Sequence, residues 1–110
     1  MLRAELVECE AEDYEGYFIE FTYNDDNVYF KFIGEVVNEY KVIADAIETS
    51  SNYMLDFEQI SGCCKIELTG AVITFTVDLV SDLGRMIVGV PAINTLMGFR
   101  MAHELVNSKK

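Results

Sequence analysis

Basic residues are scarce in this chain. Eight lysines and arginines face nineteen aspartates and glutamates, for a net charge of −11 over 110 residues. An acidic surface repels phosphate backbones, so direct nucleic-acid binding is not expected. An acidic membrane leaflet is disfavoured as a partner for the same reason. Long apolar runs are missing too. Nothing approaches the ~20 consecutive apolar residues that span a bilayer. VYFKFIGEVV at 28–37 and GRMIVGVPAI at 84–93 are interrupted by polar residues or glycine. The opening MLRAELVECE lacks a basic stretch followed by an apolar one and does not read as a signal peptide. The expected location is the cytoplasm.

Histidine occurs once, at His103, four residues after Phe99 and two before Leu105. Nothing local supports pairing it with a cysteine as a nucleophile. No GxSxG, P-loop, GxGxxG or CxxC motif occurs. Paired carboxylates for acid–base work can be chosen almost at will from an acidic sequence, which singles out none. We therefore expect no enzyme and no cofactor. The three cysteines are Cys9, alone, and Cys63 and Cys64, adjacent. An odd count without framework spacing is a poor disulfide scaffold. Neighbours on a strand point to opposite faces, so Cys63 and Cys64 would not share a metal. They read as small buried hydrophobes, with a redox pair as the alternative.

What the chain does have is a core and a lopsided charge. Hydrophobic residues make up 51% of it, enough for a single domain over residues 1–110 without staples. Residues 1–60 hold fifteen acids against three bases, −12; residues 61–110 hold four acids against five bases, +1; together these give −11. The acidity belongs to the first half. Such asymmetry steers association with a basic protein; plain solubility is the competing explanation.

Periodicity predicts an α+β fold. Leu2, Ala4 and Leu6 form one apolar series and Val7, Cys9 and Ala11 another, so a strand over 2–11 with a bulge near Leu6–Val7 is expected. DYEG at 13–16 reads as a turn. YFIEFTY at 17–23, NDDN at 24–27 and VYFKFIG at 28–34 read as a hairpin. Tyr40, Ile43, Ala44 and Ile47 recur at helical spacing over 38–50, with Asn38 as N-cap. Strands follow at 53–60, 63–69, with Cys64 inward, 72–79, with Leu79 inward, and 85–90. Pro91, the only proline, precedes a last helix with Ile93, Leu96, Met97, Ala102 and Leu105 near one face, ending around Val106–Asn107. Gly98 weakens that helix by roughly 1 kcal/mol relative to alanine. The expected architecture is a mainly antiparallel sheet of six to seven strands with two helices, in the order β-β-β-α-β-β-β(β)-α.

Two acidic stretches invite a metal reading. Glu8, Glu10 and Glu12 alternate along one strand, but at ~3.3 Å rise per residue they stand ~6.6 Å apart, too far for all to ligate one ion. NDDN lacks the twelve-residue calcium-loop pattern. No metal site is expected. The remaining signal is tyrosine interleaved with acid, a composition suited to an interface. The candidate partner-binding residues are Glu10, Glu12, Asp13, Tyr14 and Glu15, with Tyr23, Asp25 and Asp26 at the second loop. An ordinary sheet rim with amphipathic tyrosines is the alternative.

In size, acidity, single-domain organisation and lack of catalytic residues, the chain resembles bacterial immunity proteins; the resemblance rests on the composition of the whole chain. It implies an inhibitory module that neutralises a basic, nuclease-like toxin domain. A phage-type DNA mimic and a small-ligand-binding or regulatory domain are the other expectations. Exposed strand edges would also admit a homodimer.

Overall fold

The computed structural model describes residues 1–11, 14–34, 36–56, 62–78 and 84–108. Strands β1 (Leu2–Ala11) and β2 (Tyr14–Asn24) form a long antiparallel hairpin, and β3 (Tyr29–Gly34) returns along β2. Helix α1 (Glu39–Glu48) follows. A second meander comprises β4 (Tyr53–Asp56), β5 (Gly62–Thr69), β6 (Val72–Asp78) and β7 (Arg85–Pro91). A 3-10 turn, Ala92–Thr95, leads into helix α2 (Leu96–Asn107). This is the expected α+β order, with the strands divided between a three-stranded sheet and a four-stranded sheet.

Alternation explains the strands. On β3, Phe30, Phe32 and Gly34 are buried while Tyr29, Lys31 and Ile33 are exposed, the period-2 pattern of a half-buried strand. Gly70, at φ +62°, turns β5 into β6 in a conformation that disfavours a side chain. The sheets and helices close on one apolar cluster. Phe75 of β6 joins them, its ring 5.0 Å from Phe32, 5.4 Å from Phe30 and 6.3 Å from Phe99. Phe21 stacks on Phe32 at 4.8 Å and meets Tyr40 of α1 edge-on at 5.3 Å.

Four local expectations change. Tyr14, Glu15 and Gly16 pair with Ala11, Glu10 and Cys9 as strand, in place of the expected turn over 13–16. The β1–β2 register runs without a shift from Leu2↔Tyr23 to Ala11↔Tyr14, so there is no bulge at Leu6–Val7. The bulge lies instead in β5, where Cys63 pairs with Val77 and Lys65 with Thr76. Asn38 occupies the N-cap position of α1 with helical backbone angles and no side-chain capping bond. On α2 the buried residues are Gly98, Phe99, Ala102 and Val106, preceded by Thr95, while Ile93 and Met97 are 65% and 57% exposed. The ring of Phe99 sets that rotation. The expected continuation of β4 through 57–60, the side chain of Cys64, and Leu79 lie outside the described residues.

Candidate functional site

The β1–β2 hairpin outruns its sheet. β3 ends at Gly34, opposite Ile19, so among the described residues the hairpin has no third strand beyond the Leu6↔Ile19 pair. Leu2 and Ala4 are buried, Leu6 packs at the core's margin, and Glu8 is exposed. The strand thus turns from apolar to acidic where the body of the protein stops. The unbroken register also sets acids directly opposite acids, Glu5↔Glu20 and Glu10↔Glu15. Glu5 is exposed and Glu20 half-buried on the outer face of the sheet. Like charges facing across an antiparallel pair oppose folding.

The candidate contact residues fall into two groups. Glu10, Tyr14 and Glu15 belong to the far end of the hairpin by backbone pairing; their side chains, and Glu12 and Asp13 altogether, lie outside the described residues. Tyr23, Asp25 and Asp26 lie at the other end of β2. Ten residue steps separate Tyr14 from Asn24, about 33 Å of extended strand. The two groups therefore present separate surfaces at opposite ends of β2.

At the second end, the polar groups are used internally. Tyr23 is fully buried; its hydroxyl donates to Asp25 Oδ2 at 2.6 Å and accepts from Asn94 Nδ2 at 3.2 Å. Asp25 Oδ1 accepts the backbone N–H groups of Asn27 at 2.7 Å and Val28 at 2.8 Å. The Tyr23 hydroxyl, followed by those two N–H groups, holds the Asp25 carboxyl below its ordinary value. Burial, followed by Asp25, pushes the Tyr23 phenol up. The amino terminus donates to Asn24 O, closing the loop from a third side. Tyr23 and Asp25 therefore build the loop, and Asp26 is the exposed acid on it. Composition alone could not separate these roles; the signal was the Asp-x-x-Val spacing, which suits a carboxylate receiving local N–H bonds.

A surface groove of about 520 Å³ lies between the end of α1, the β5–β6 turn and the start of α2, lined by Ile47, Ala71, Pro91, Ile93 and Leu96 with Glu48 at its side. Glu48 is paired with Arg100 across the helices. The groove is mostly aliphatic. Among the described residues no group of three or more His, Cys, Asp or Glu side chains could hold a metal ion, and no helix is long and apolar enough to cross a membrane. Comparison with family models, curated proteins and solved structures finds no match for this chain.

Proposed function

We propose that the chain is a non-catalytic inhibitory module that masks a basic protein surface, as an immunity protein masks a nuclease-like toxin domain in the cytoplasm. The observation that carries this reading is the projecting end of the β1–β2 hairpin, where the strand turns acidic at the exposed Glu8 and the register sets Glu10 opposite Glu15. In the free protein such a pair costs stability. Opposite a cluster of lysine and arginine these acids become attractive, and they raise the rate of encounter. The hairpin end is preferred to the β2–β3 loop because Tyr23 and Asp25 are committed to the loop's own hydrogen bonds.

The test starts from the genomic neighbourhood, where an adjacent reading frame for a large secreted toxin would supply the partner. Binding to its purified toxin domain should be tight and should weaken with salt, as expected within a Debye length of ~8–10 Å. Reversing Glu8, Glu10 and Glu15 to lysine should weaken it by at least about tenfold, roughly 1.4 kcal/mol. Asp26→Lys, at the opposite end of β2, should leave it unchanged. Unchanged affinity after the hairpin reversals would defeat the reading.

A further inference from the structure

Strand β7 is the last strand of its sheet and pairs with β6 alone among the described residues. Its sequence, RMIVGVP, contains no acid in a chain of net charge −11. One hydrogen bond sets the phase of its ladder. The Ala92 N–H donates to Ala71 O at 2.8 Å, and these two residues continue the register that pairs Val72 with Pro91. Hydrogen-bonded and non-bonded pairs alternate along an antiparallel ladder. The pairs Ile73↔Val90, Phe75↔Val88 and Val77↔Met86 therefore carry the bonds to β6. The N–H and C=O groups of Ile87 and Gly89 point away from the sheet. Pro91 falls in the same outward series, where its missing N–H removes no ladder bond.

The apolar layer is open at the same edge. Ile87 is 67% exposed, and Met86 and Val88, packed against the core, are only partly buried. The other edges differ. β1 carries the exposed charges Arg3, Glu5 and Glu8, β3 approaches β5 where the sheets meet, and β4 carries the exposed Asp56. Charged or covered edges resist pairing; a seven-residue strand without an acid invites it.

We propose that a second copy of this chain closes the edge, the two β7 strands pairing antiparallel about a two-fold axis at Ile87. The four-stranded sheets then become one continuous sheet. This axis sets Ile87 against its own counterpart and Arg85 against Gly89 of the copy, each pair with both N–H donors present. An axis at Gly89 would set Ile87 against Pro91, which has no donor. On the core side, Met86 of each copy meets Val88 of the other, so one operation covers both openings. Charge selects the occupant. A basic protein finds no acid on β7, whereas two acidic chains approach each other through the half that carries +1 rather than the half that carries −12. The inference is independent of the proposed inhibitory function.

Sedimentation of the full chain over concentrations up to about 1 mM decides it. The chain should move toward twice its single-chain mass. Ile87→Lys, which opposes two ammonium groups at the axis, and Ile87→Pro, which removes only an outward N–H, should both stay at single-chain mass with an unchanged circular dichroism spectrum. Ile87→Cys should form an 87–87 disulfide on oxidation, since bonded opposite residues lie about 5.5 Å apart at Cα, within disulfide reach. A chain of single mass at every concentration, a dimer indifferent to Ile87→Lys, or cross-links through the native cysteines in place of position 87 would overturn the proposal.

Discussion

The hydroxyl of the fully buried Tyr23 donates a 2.6 Å hydrogen bond to Asp25, two residues further on and at the surface. One residue faces the core and the other faces the loop, so this bond ties the β2–β3 connection to the packed interior. Asn94, from the turn before α2, adds a second tie through the same hydroxyl.

This arrangement makes stability depend on pH in the acid range. The folded Asp25 carboxyl titrates below its ordinary value, so between that lowered value and ~3.9 the unfolded chain binds more protons than the folded one. The stabilisation is fully present above the unfolded value and is lost as pH falls through the folded one. Asp25→Asn keeps an oxygen for the Asn27 and Val28 N–H groups and removes the titration. Its urea midpoint should fall less steeply than that of the natural chain from about pH 5 downward. Equal slopes would show that the Tyr23–Asp25 bond is not maintained in solution.

Gly98 shows how closely α2 lies on β1. A methyl placed there would stand 2.6–2.8 Å from three carbons of the Leu2 side chain, including its Cβ. Helix propensity favours alanine by roughly 1 kcal/mol, but overpacking costs about 1–3 kcal/mol. Gly98→Ala should therefore lower the urea midpoint. Leu2→Ala should cost less in the Gly98→Ala background than alone, a coupling that a double-mutant cycle measures. A stabilising Gly98→Ala would mean that the two elements stand further apart.

Helix α1 ends on a residue other than glycine in the left-handed region. Ser50 has φ +56°, and its N–H donates to Ile47 O at 3.3 Å while the Ser51 N–H donates to Ala46 O at 2.9 Å. That bond pair is the glycine-type helix stop. A left-handed L-residue costs roughly 1–2 kcal/mol, part of which glycine gives back as extra freedom in the unfolded chain. Ser50 is exposed, so Ser50→Gly should raise stability by about 0.5–1 kcal/mol. Thermal melts resolve that difference, and a fall would show that the serine hydroxyl contributes more than its backbone costs.

Legibility in the sequence followed the strength of the local pattern. The β2–β3 hairpin was plain because Phe30 and Phe32 alternate with Tyr29, Lys31 and Ile33 around a polar loop. The face of α2 was not. Ile93 and Met97 resemble core residues yet face outward, while Gly98 and Thr95 resemble breaks yet are buried. The Thr95 hydroxyl is satisfied by Ala92 O at 2.7 Å, which lets a polar residue enter the core without an unpaired group. The candidate site was readable as composition only. Which acid faces which depends on register, and register depends on β2 starting at Tyr14 rather than at Tyr17. A misplaced turn moves every cross-strand pair, and it also hides that the acids stand at opposite ends of β2.

Glu5 and Glu20 show what that register costs the fold. They face each other on the outer surface of the first sheet, and a repelling pair of this kind costs about 0.2–1 kcal/mol. Glu5→Gln keeps the size of the side chain and removes the repulsion without adding a cation beside Arg3. The variant should be more stable than the natural chain by a few tenths of a kcal/mol at low salt. Added salt shortens the Debye length to about 3 Å at 1 M, so the gap between the two should narrow as salt rises. Urea midpoints at low and high ionic strength measure both effects. Under the proposed function the contact lies at the far end of the hairpin, beyond the three-stranded part that holds Glu5 and Glu20, so the same substitution should change stability and leave capture of the basic partner nearly unchanged. A variant that gains stability and loses about tenfold or more in affinity would place the contact on the outer face at Glu5 instead.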